Sequence, residues 1–483
     1  MLDNPEVTST RPPARPPDPL FRRSLAVAAA IGALYAILVH GVAPGFGWSL
    51  FLISAVGSVI WLGRESMDYQ GRALLAGAAL VAALSAVRSL PSLAALNLLA
   101  FSALLIMAVG VNRRPGLHHW RISDLLTESI ETGFGVFSSP LAYLRTGIAT
   151  TERSFGRLMR RLGPITVGLG ISVLALIIFG SLLASADAVF ESFGESLIRS
   201  LENLPSVSGR LVGSVLAGWM TLGIVARVRR PPATPASGNG SPRLQAPVVL
   251  LPLISLDVLF GAFVLVQFAY LFGGADTVAR TGLSHAEYAR RGFFELVVVA
   301  ALVVAVILIA EWATRALPNR RGTLAASQVL LVLTIVTGIA AVRRMLLYVG
   351  EFGLTELRVY TTTFLFWVGF ILIWMSLTVL RGRGDRLVVG AVTSAFILTV
   401  GLNLAHPASM ISAVNLDRAA EGKELDIHYL ISLGSGAVPT LQSRVNEIQS
   451  QADRDLARDA LADFDLGSDW RELTIDRWAA KRR

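Results

Sequence analysis

The run PLISLDVLFGAFVLVQFAY, Pro252–Tyr270, decides the class of fold. It carries a single charge, Asp257, in a stretch long enough to cross a hydrocarbon layer as one helix, which takes roughly 17–25 apolar residues. No soluble domain needs an uninterrupted apolar helix of this kind. Inside lipid a helix satisfies its own backbone, so the stretch predicts a transmembrane span. Asp257 sits near its middle, where an ionised acid costs at least ~2.5–3.5 kcal/mol on insertion scales. It therefore requires a partner or water and becomes the first candidate functional residue. Gln267, further along the same helix, is a candidate for an interhelical hydrogen bond.

The rest of the chain repeats the pattern. Of 483 residues, 53% are hydrophobic and only 16% charged, where a soluble protein carries about 25%. Mean hydropathy is +0.59. About eleven spans are predicted, near 24–40, 46–62, 72–88, 92–111, 163–185, 210–226, 248–272, 293–314, 324–348, 359–380 and 387–405. The expected fold is all-α: a polytopic transmembrane bundle with a small helical extracytoplasmic tail. A Pro-rich arm, 1–23, precedes the first membrane helices, 24–111. A cytoplasmic amphipathic segment, 112–162, separates these from the main bundle, 163–405, which contains a Pro/Gly/Ser-rich linker at 228–246. The tail is 406–483.

Charge orients this arrangement. The net charge is +9, but the basic residues lie between apolar runs, which speaks for membrane orientation and not for nucleic acid. Over half of the 43 lysines and arginines fall in the N-terminal arm and the connections on its side. Under a quarter fall in the opposite connections. Cytoplasmic loops carry the basic excess, so the N-terminus is expected in the cytoplasm and the C-terminus outside. The partner this implies is the lipid bilayer. In 112–162, Leu125, Leu126, Ile130, Phe134, Phe137 and Leu141 recur at roughly helical spacing, and an arginine cluster follows, as expected of helices lying on an anionic leaflet or, alternatively, of cytoplasmic helices packing on each other.

The tail reads as short helices. Pro407 opens the first, and Gly422 and Gly434 close the first two. Leu430, Leu433, Val438, Leu441, Val445, Leu456, Leu461, Trp470 and Trp478 are the expected core. A unit of this size is marginal alone, so it is expected to lean on the membrane helices.

Six stretches carry a resemblance: VNLDRAAEGKELDIHYLISLGSGAVPTL (414–441), SLLASADAVF (181–190), VQFAYLFGG (266–274), EYARRGFFEL (287–296), YVGEFGLTELRVY (348–360) and WRELTIDRWAA (470–480). Together they resemble a bacterial family of integral membrane proteins catalogued as a domain of unknown function, number four-one-seven-three, with the related four-one-five-three. The resemblance implies a multi-pass membrane protein with a characteristic tail. It implies no reaction, substrate or cofactor.

Further candidates come from the residues. Glu295, near the outer end of one predicted span, and Arg343 and Arg344, near the outer end of the next, reach a similar depth and could form an outward-facing polar site. Glu311 and Arg315 have the spacing of a local helix pair. The absence of cysteine excludes disulfides, thiolate metal sites and cysteine nucleophiles. The six histidines are scattered, so no metal site is expected. P-loop, HExxH and GxSxG signatures are absent. No catalytic residue or cofactor is therefore expected. The sequence suggests a non-enzymatic scaffold or regulator of the bacterial cytoplasmic (inner) membrane, engaging an envelope protein through its tail. The alternative is a secondary transporter using Asp257, Gln267, Glu295, Arg343 and Arg344. An intramembrane glycosyltransferase fits less well, because the first outer loop, GVAPGFG, holds no acid.

Overall fold

The computed structural model describes residues 19–113, parts of 116–140, 206–229, 246–272, 293–314, 320–384, 386–462, 464 and 469–481. Every described element is helical. The long helices, numbered here in chain order, are α1 (Pro19–Leu38), α2 (Phe46–Gly63), α3 (Tyr69–Leu84), α4 (Pro91–Arg113), α5 (Ser206–Val228), α6 (Ala246–Phe272), α7 (Phe293–Thr314), α8 (Arg321–Phe352), α9 (Glu356–Thr378) and α10 (Arg386–Leu404). A helix thus stands at each expected span within the described residues; the expected span at 163–185 lies outside them. Seven helices are long and apolar enough to cross a membrane among the described residues, and α3 and parts of α6 and α7 form shorter apolar helices.

Two helix groups share the bundle. α1 and α5 cross closely because Gly32 and Gly218 leave room for the backbones of Ser214 and Ala28, the small-residue packing expected where no hydrophobic drive operates between helices. With α2, α3 and α4 they enclose a core built on Val56, Leu75, Val81 and Leu104. The second group, α6 to α9, packs around Leu253, Ile307, Leu330 and Met375. α10 lies against α3, α4 and α9 and joins the groups. Several buried hydroxyls are satisfied within their own helices: Thr314, Thr334 and Thr399 each donate to the carbonyl four residues back. Such back-bonding is the local answer to a polar group without water.

Helix ends follow local chemistry. Asp68 caps α3 by accepting from the Tyr69 amide, and Thr355 caps α9 by accepting from Arg358. Gly353, at φ +78°, ends α8 in a conformation that a side chain would resist. At 32 residues, α8 is about 48 Å long, well beyond a hydrocarbon layer of about 30 Å. Its far end meets the C-terminal helices.

Those helices are α11 (Pro407–Ala420), α12 (Ile427–Ser432), α13 (Val438–Arg444), α14 (Gln451–Ala462) and α15 (Ile475–Lys481). Pro407 and the left-handed glycines 422 and 434 stand where the sequence puts helix boundaries. Leu430, Leu433, Leu441 and Val445 are buried in one core, with Leu456 and Leu461 packed against it. Leu90, Leu93, Val359 and Leu402 from the long helices join the same core. Trp470 and Trp478 correct the expectation, since they are 54% and 44% exposed.

The segment after α4 also differs from a surface helix. Glu128, Thr132, Val136 and Ser139 are buried, and the segment packs on α4 and α5, where Gly110 lies against Glu128 and Gly223 against the Val136 backbone. Its buried stripe is largely polar. Of the expected apolar face, Leu125 packs partly into a small cluster with Met107 and Trp120. The other five side chains lie outside the described residues.

Candidate functional site

A dense buried polar cluster lies where residues 469–481 meet the corner between α3 and α4. Ser85 to Leu90 form that corner, and Arg88 is its one charged residue. The Arg88 guanidinium donates from Nε to the Asn403 carbonyl at 2.6 Å and from Nη1 to Asp476 Oδ1 at 2.8 Å. The Ser89 amide donates to Asp476 Oδ2 at 3.3 Å. Arg88 is 7% exposed and Asp476 1%, so the pair is shut off from solvent on both sides. Such a pair persists only when further hydrogen bonds complete it, and Asn403 and Ser89 supply them.

A third ionisable group closes the cluster. His406 Nε2 lies 3.3 Å from Asp476 Oδ1. Burial depresses the His406 pKa, and Arg88 lowers it further, while Asp476 pulls the other way. His406 Nδ1 is buried without a hydrogen-bond partner among the described residues. His406 is also the one described non-glycine residue with positive φ, 56°, a left-handed conformation that favours glycine. Below it, the side-chain amides of Asn97 on α4 and Asn403 on α10 exchange hydrogen bonds at 3.1 and 2.7 Å.

The segment that brings Asp476 here, Asp469–Lys481, crosses the ends of α1, α2 and α3 as a strap. Its backbone pairs with them. Phe46 donates to Leu473 at 3.0 Å, Ile475 to Ala86 at 3.0 Å and Asp476 to Val87 at 3.3 Å. The Ala43 amide donates to Glu472 Oε1 at 3.0 Å, and Arg471 Nη1 donates to the Ile37 carbonyl at 2.8 Å. Gly45 permits this approach: a Cβ there would stand 2.7 Å from the Glu472 carbonyl carbon.

The other C-terminal helices grip the second helix group at the same end. Asn415 on α11 accepts from the Leu354 amide and donates to the Leu354 carbonyl, both at 2.8 Å. Tyr429 Oη accepts from the Glu356 amide at 2.8 Å. Lys423 pairs with Glu351 at 2.9 Å. A separate cluster marks the opposite end: Glu128 Oε1 takes Arg113 at 2.8 Å and Thr132 at 3.3 Å, with Arg227 at 3.9 Å.

The residues singled out from sequence are not brought into this site. Asp257 lies mid-way along α6, its Oδ1 buried without a hydrogen-bond partner among the described residues. Gln267 is on the same helix, Glu295 at the start of α7, and Arg344 beside the exposed Arg343 on α8. The side chains of Gln267, Glu295 and Arg344 lie outside the described residues, as does any pairing among them. Arg315 lies outside as well; Glu311 has Arg320 at 3.9 Å. Sequence reasoning passed over Arg88, Asp476, Asn97 and Asn403. The available signal was the alternation Leu473, Thr474, Ile475, Asp476, in which an acid sits among apolar neighbours.

Among the described residues, no group of three or more His, Asp or Glu is placed to hold a metal. Chemically, the Arg88 cluster can hold a segment in place and exchange a proton at His406. Residues 75–443 match the family described as a domain of unknown function (DUF4153), and the chain belongs to that family. The strap lies beyond the matched residues. Nothing matches among curated proteins or among solved structures.

Proposed function

We propose that this DUF4153 chain is a bacterial multi-pass protein of the cytoplasmic membrane that acts as a scaffold or regulator. In this reading its C-terminal helices stand outside the cell and engage an envelope protein. One observation carries it: at a single end of the bundle, the last 77 or so residues hold both helix groups together. The strap grips α1 to α4 through Arg88 and Asp476, while α11 and α12 grip the α8–α9 corner through Asn415 and Tyr429. A clamp across two helix groups is a natural point of control, because a partner that binds the clamp biases how the groups sit. About eleven spans and the basic bias support the sidedness. Kinship with family four-one-seven-three belongs to the same reading and rests on the motifs quoted above.

A second reading is a secondary transporter. It draws support from Asp257, a half-buried acid midway along α6 whose Oδ1 is buried without a hydrogen-bond partner among the described residues, since intramembrane acids mark ion pathways. One experiment separates the two. A photo-crosslinking residue at the exposed Arg458 on α14 is introduced in living cells, and ion flux is measured in proteoliposomes. A single reproducible envelope adduct, with no flux that depends on Asp257, supports the scaffold. Substrate-coupled flux abolished by Asp257→Asn overturns it.

A further inference from the structure

The strap is built inside out. Along Leu473–Asp476, exposure alternates in register with polarity, and the polar residues point inward. Thr474 and Asp476 are 2% and 1% exposed, while Leu473 and Ile475 are 37% and 52% exposed. Helix α15 buries Asp476 and Ala480 on one face and exposes Ile475 and Trp478 on the other, with the charged Lys481 exposed at its end. Trp470 extends the apolar side and meets the exposed Phe46 ring edge-on, at 6.2 Å between centroids. A segment folded against water places its polar residues outward. This one does the reverse, so its outer face requires an apolar medium.

Its height in the bundle says which medium. Backbone hydrogen bonds tie Leu473 to the first residue of α2 and tie Ile475 and Asp476 to the residues that follow α3. The strap is therefore level with the ends of membrane-spanning helices. Its apolar face continues the exposed apolar faces of those helices, at Ile37, Phe46 and Ile53. Tryptophan prefers this depth, where an amphipathic ring sits between headgroups and acyl chains. Its arginines are paired within it. Arg471 pairs with Asp469 at 2.6 Å and Arg477 with Glu472 at 2.7 Å, so the strap approaches lipid without unpaired arginines and without need of anionic headgroups.

We propose that the strap is an interfacial membrane anchor. Trp470, Leu473, Ile475 and Trp478 lie in the headgroup–acyl boundary of the leaflet at the tail end of the bundle, and the occupant of this apolar face is phospholipid. The inference rests on the membrane reading above, but not on which side the tail occupies.

The chain has no cysteine, so spin labels can be placed singly in the full-length protein. Leu473→Cys, Ile475→Cys and Trp478→Cys are labelled in nanodiscs of a zwitterionic phosphatidylcholine, with Arg458→Cys on α14 as the aqueous reference. Collision with oxygen and with a water-soluble nickel chelate is compared at each site. The expected result is an oxygen-to-nickel accessibility ratio several-fold above the reference at 473, 475 and 478, without anionic lipid. Nickel accessibility equal to that at 458 would overturn the proposal, as would labels shielded from both colliders by a second copy of the chain. Quenching by lipids brominated near the headgroup checks the same depth in a Trp470→Phe and Trp478→Phe comparison. A tail on the cytoplasmic side would sink the sidedness of the functional reading and leave a lipid-exposed strap standing; aqueous labels on an outside tail would do the opposite.

Discussion

Replacing Asp476 by Asn tests whether the buried ion pair holds the strap in place. The substitution keeps the size and one acceptor oxygen but removes the charge facing Arg88, whose guanidinium stays buried. Breaking a buried pair by removing one partner costs about 3–5 kcal/mol. The lower end applies here, because Arg88 retains the Asn403 carbonyl at 2.6 Å and the Asn side chain can still accept from Ser89. About 3 kcal/mol corresponds to roughly a 100-fold shift in the docked-to-undocked equilibrium. The strap is held to α2 and the α3–α4 corner by a few backbone hydrogen bonds and can open locally, so the loss is expected in local and not global protection. The readout is hydrogen exchange at the Ile475 and Asp476 amides, which donate to Ala86 and Val87. Both should exchange about 100-fold faster in Asp476→Asn, while the amides of α13 change little. Arg88→Gln combined with Asp476→Asn should cost clearly less than the two single effects added together, because the double variant leaves no buried charge without its partner. Unchanged exchange in Asp476→Asn, or strict additivity in the double variant, would show that the pair does not hold the strap.

Docking of the strap should weaken as pH falls through about 6.5, because burial holds the His406 pKa below its ordinary value and the undocked form then takes up a proton that the docked form refuses. His406→Gln should flatten that dependence in the same exchange measurement between pH 7.5 and 5.5, and a slope that survives would assign it elsewhere. A second acid transition is expected below about 4, since Arg477 and the Ala43 amide hold the Glu472 carboxyl low and protonation there removes stability present at higher pH. Gly45→Ala should cost about 1–3 kcal/mol by overpacking against Glu472, read as faster exchange at the Phe46 amide; wild-type exchange would mean that the strap stands further off. Asn97→Leu should destabilise the bundle by about 1–3 kcal/mol by leaving the Asn403 Oδ1 without its donor, seen as lower thermal stability in detergent, and a gain in stability would contradict the amide pairing.

Much of the fold was legible because lipid makes the rules strict. A helix crossing hydrocarbon must be long, apolar and internally bonded, so the runs at 46–62, 92–111 and 387–405 fell within a residue or two of α2, α4 and α10. Boundaries with local causes were equally readable: Pro407, Gly422 and Gly434 act through their own backbone. α8 ran past its expected end because Glu351 and Phe352 continue the helix outside the apolar run, where the C-terminal helices receive them. The Arg88 site was not legible. Its partners are separated by 315 and 388 positions, and no local spacing links a corner arginine to an acid near the C-terminus. Asp257 drew attention because its cost is local. Arg88 did not, because a charge in a short connection looks solvated until the strap covers it.

The tryptophans expose a deeper reason. Reading Trp470 and Trp478 as core assumed that apolar residues of an amphipathic segment face the protein. That assumption belongs to segments surrounded by water. Where the surroundings are lipid, the hydrophobic drive toward the protein vanishes, and polar groups become the ones that must find partners inside. Asp476 is therefore inward and Ile475 outward. In the segment after α4 too, a polar group finds its partners inside, with Glu128 taking Arg113 and Thr132. The periodicity of the strap was visible in the sequence, and its sign was not. The sign depends on whether water or lipid lies beyond the segment, which is set by the height at which long-range hydrogen bonds fix it. For the strap, those are the bonds from Phe46 to Leu473 and from Ile475 to Ala86.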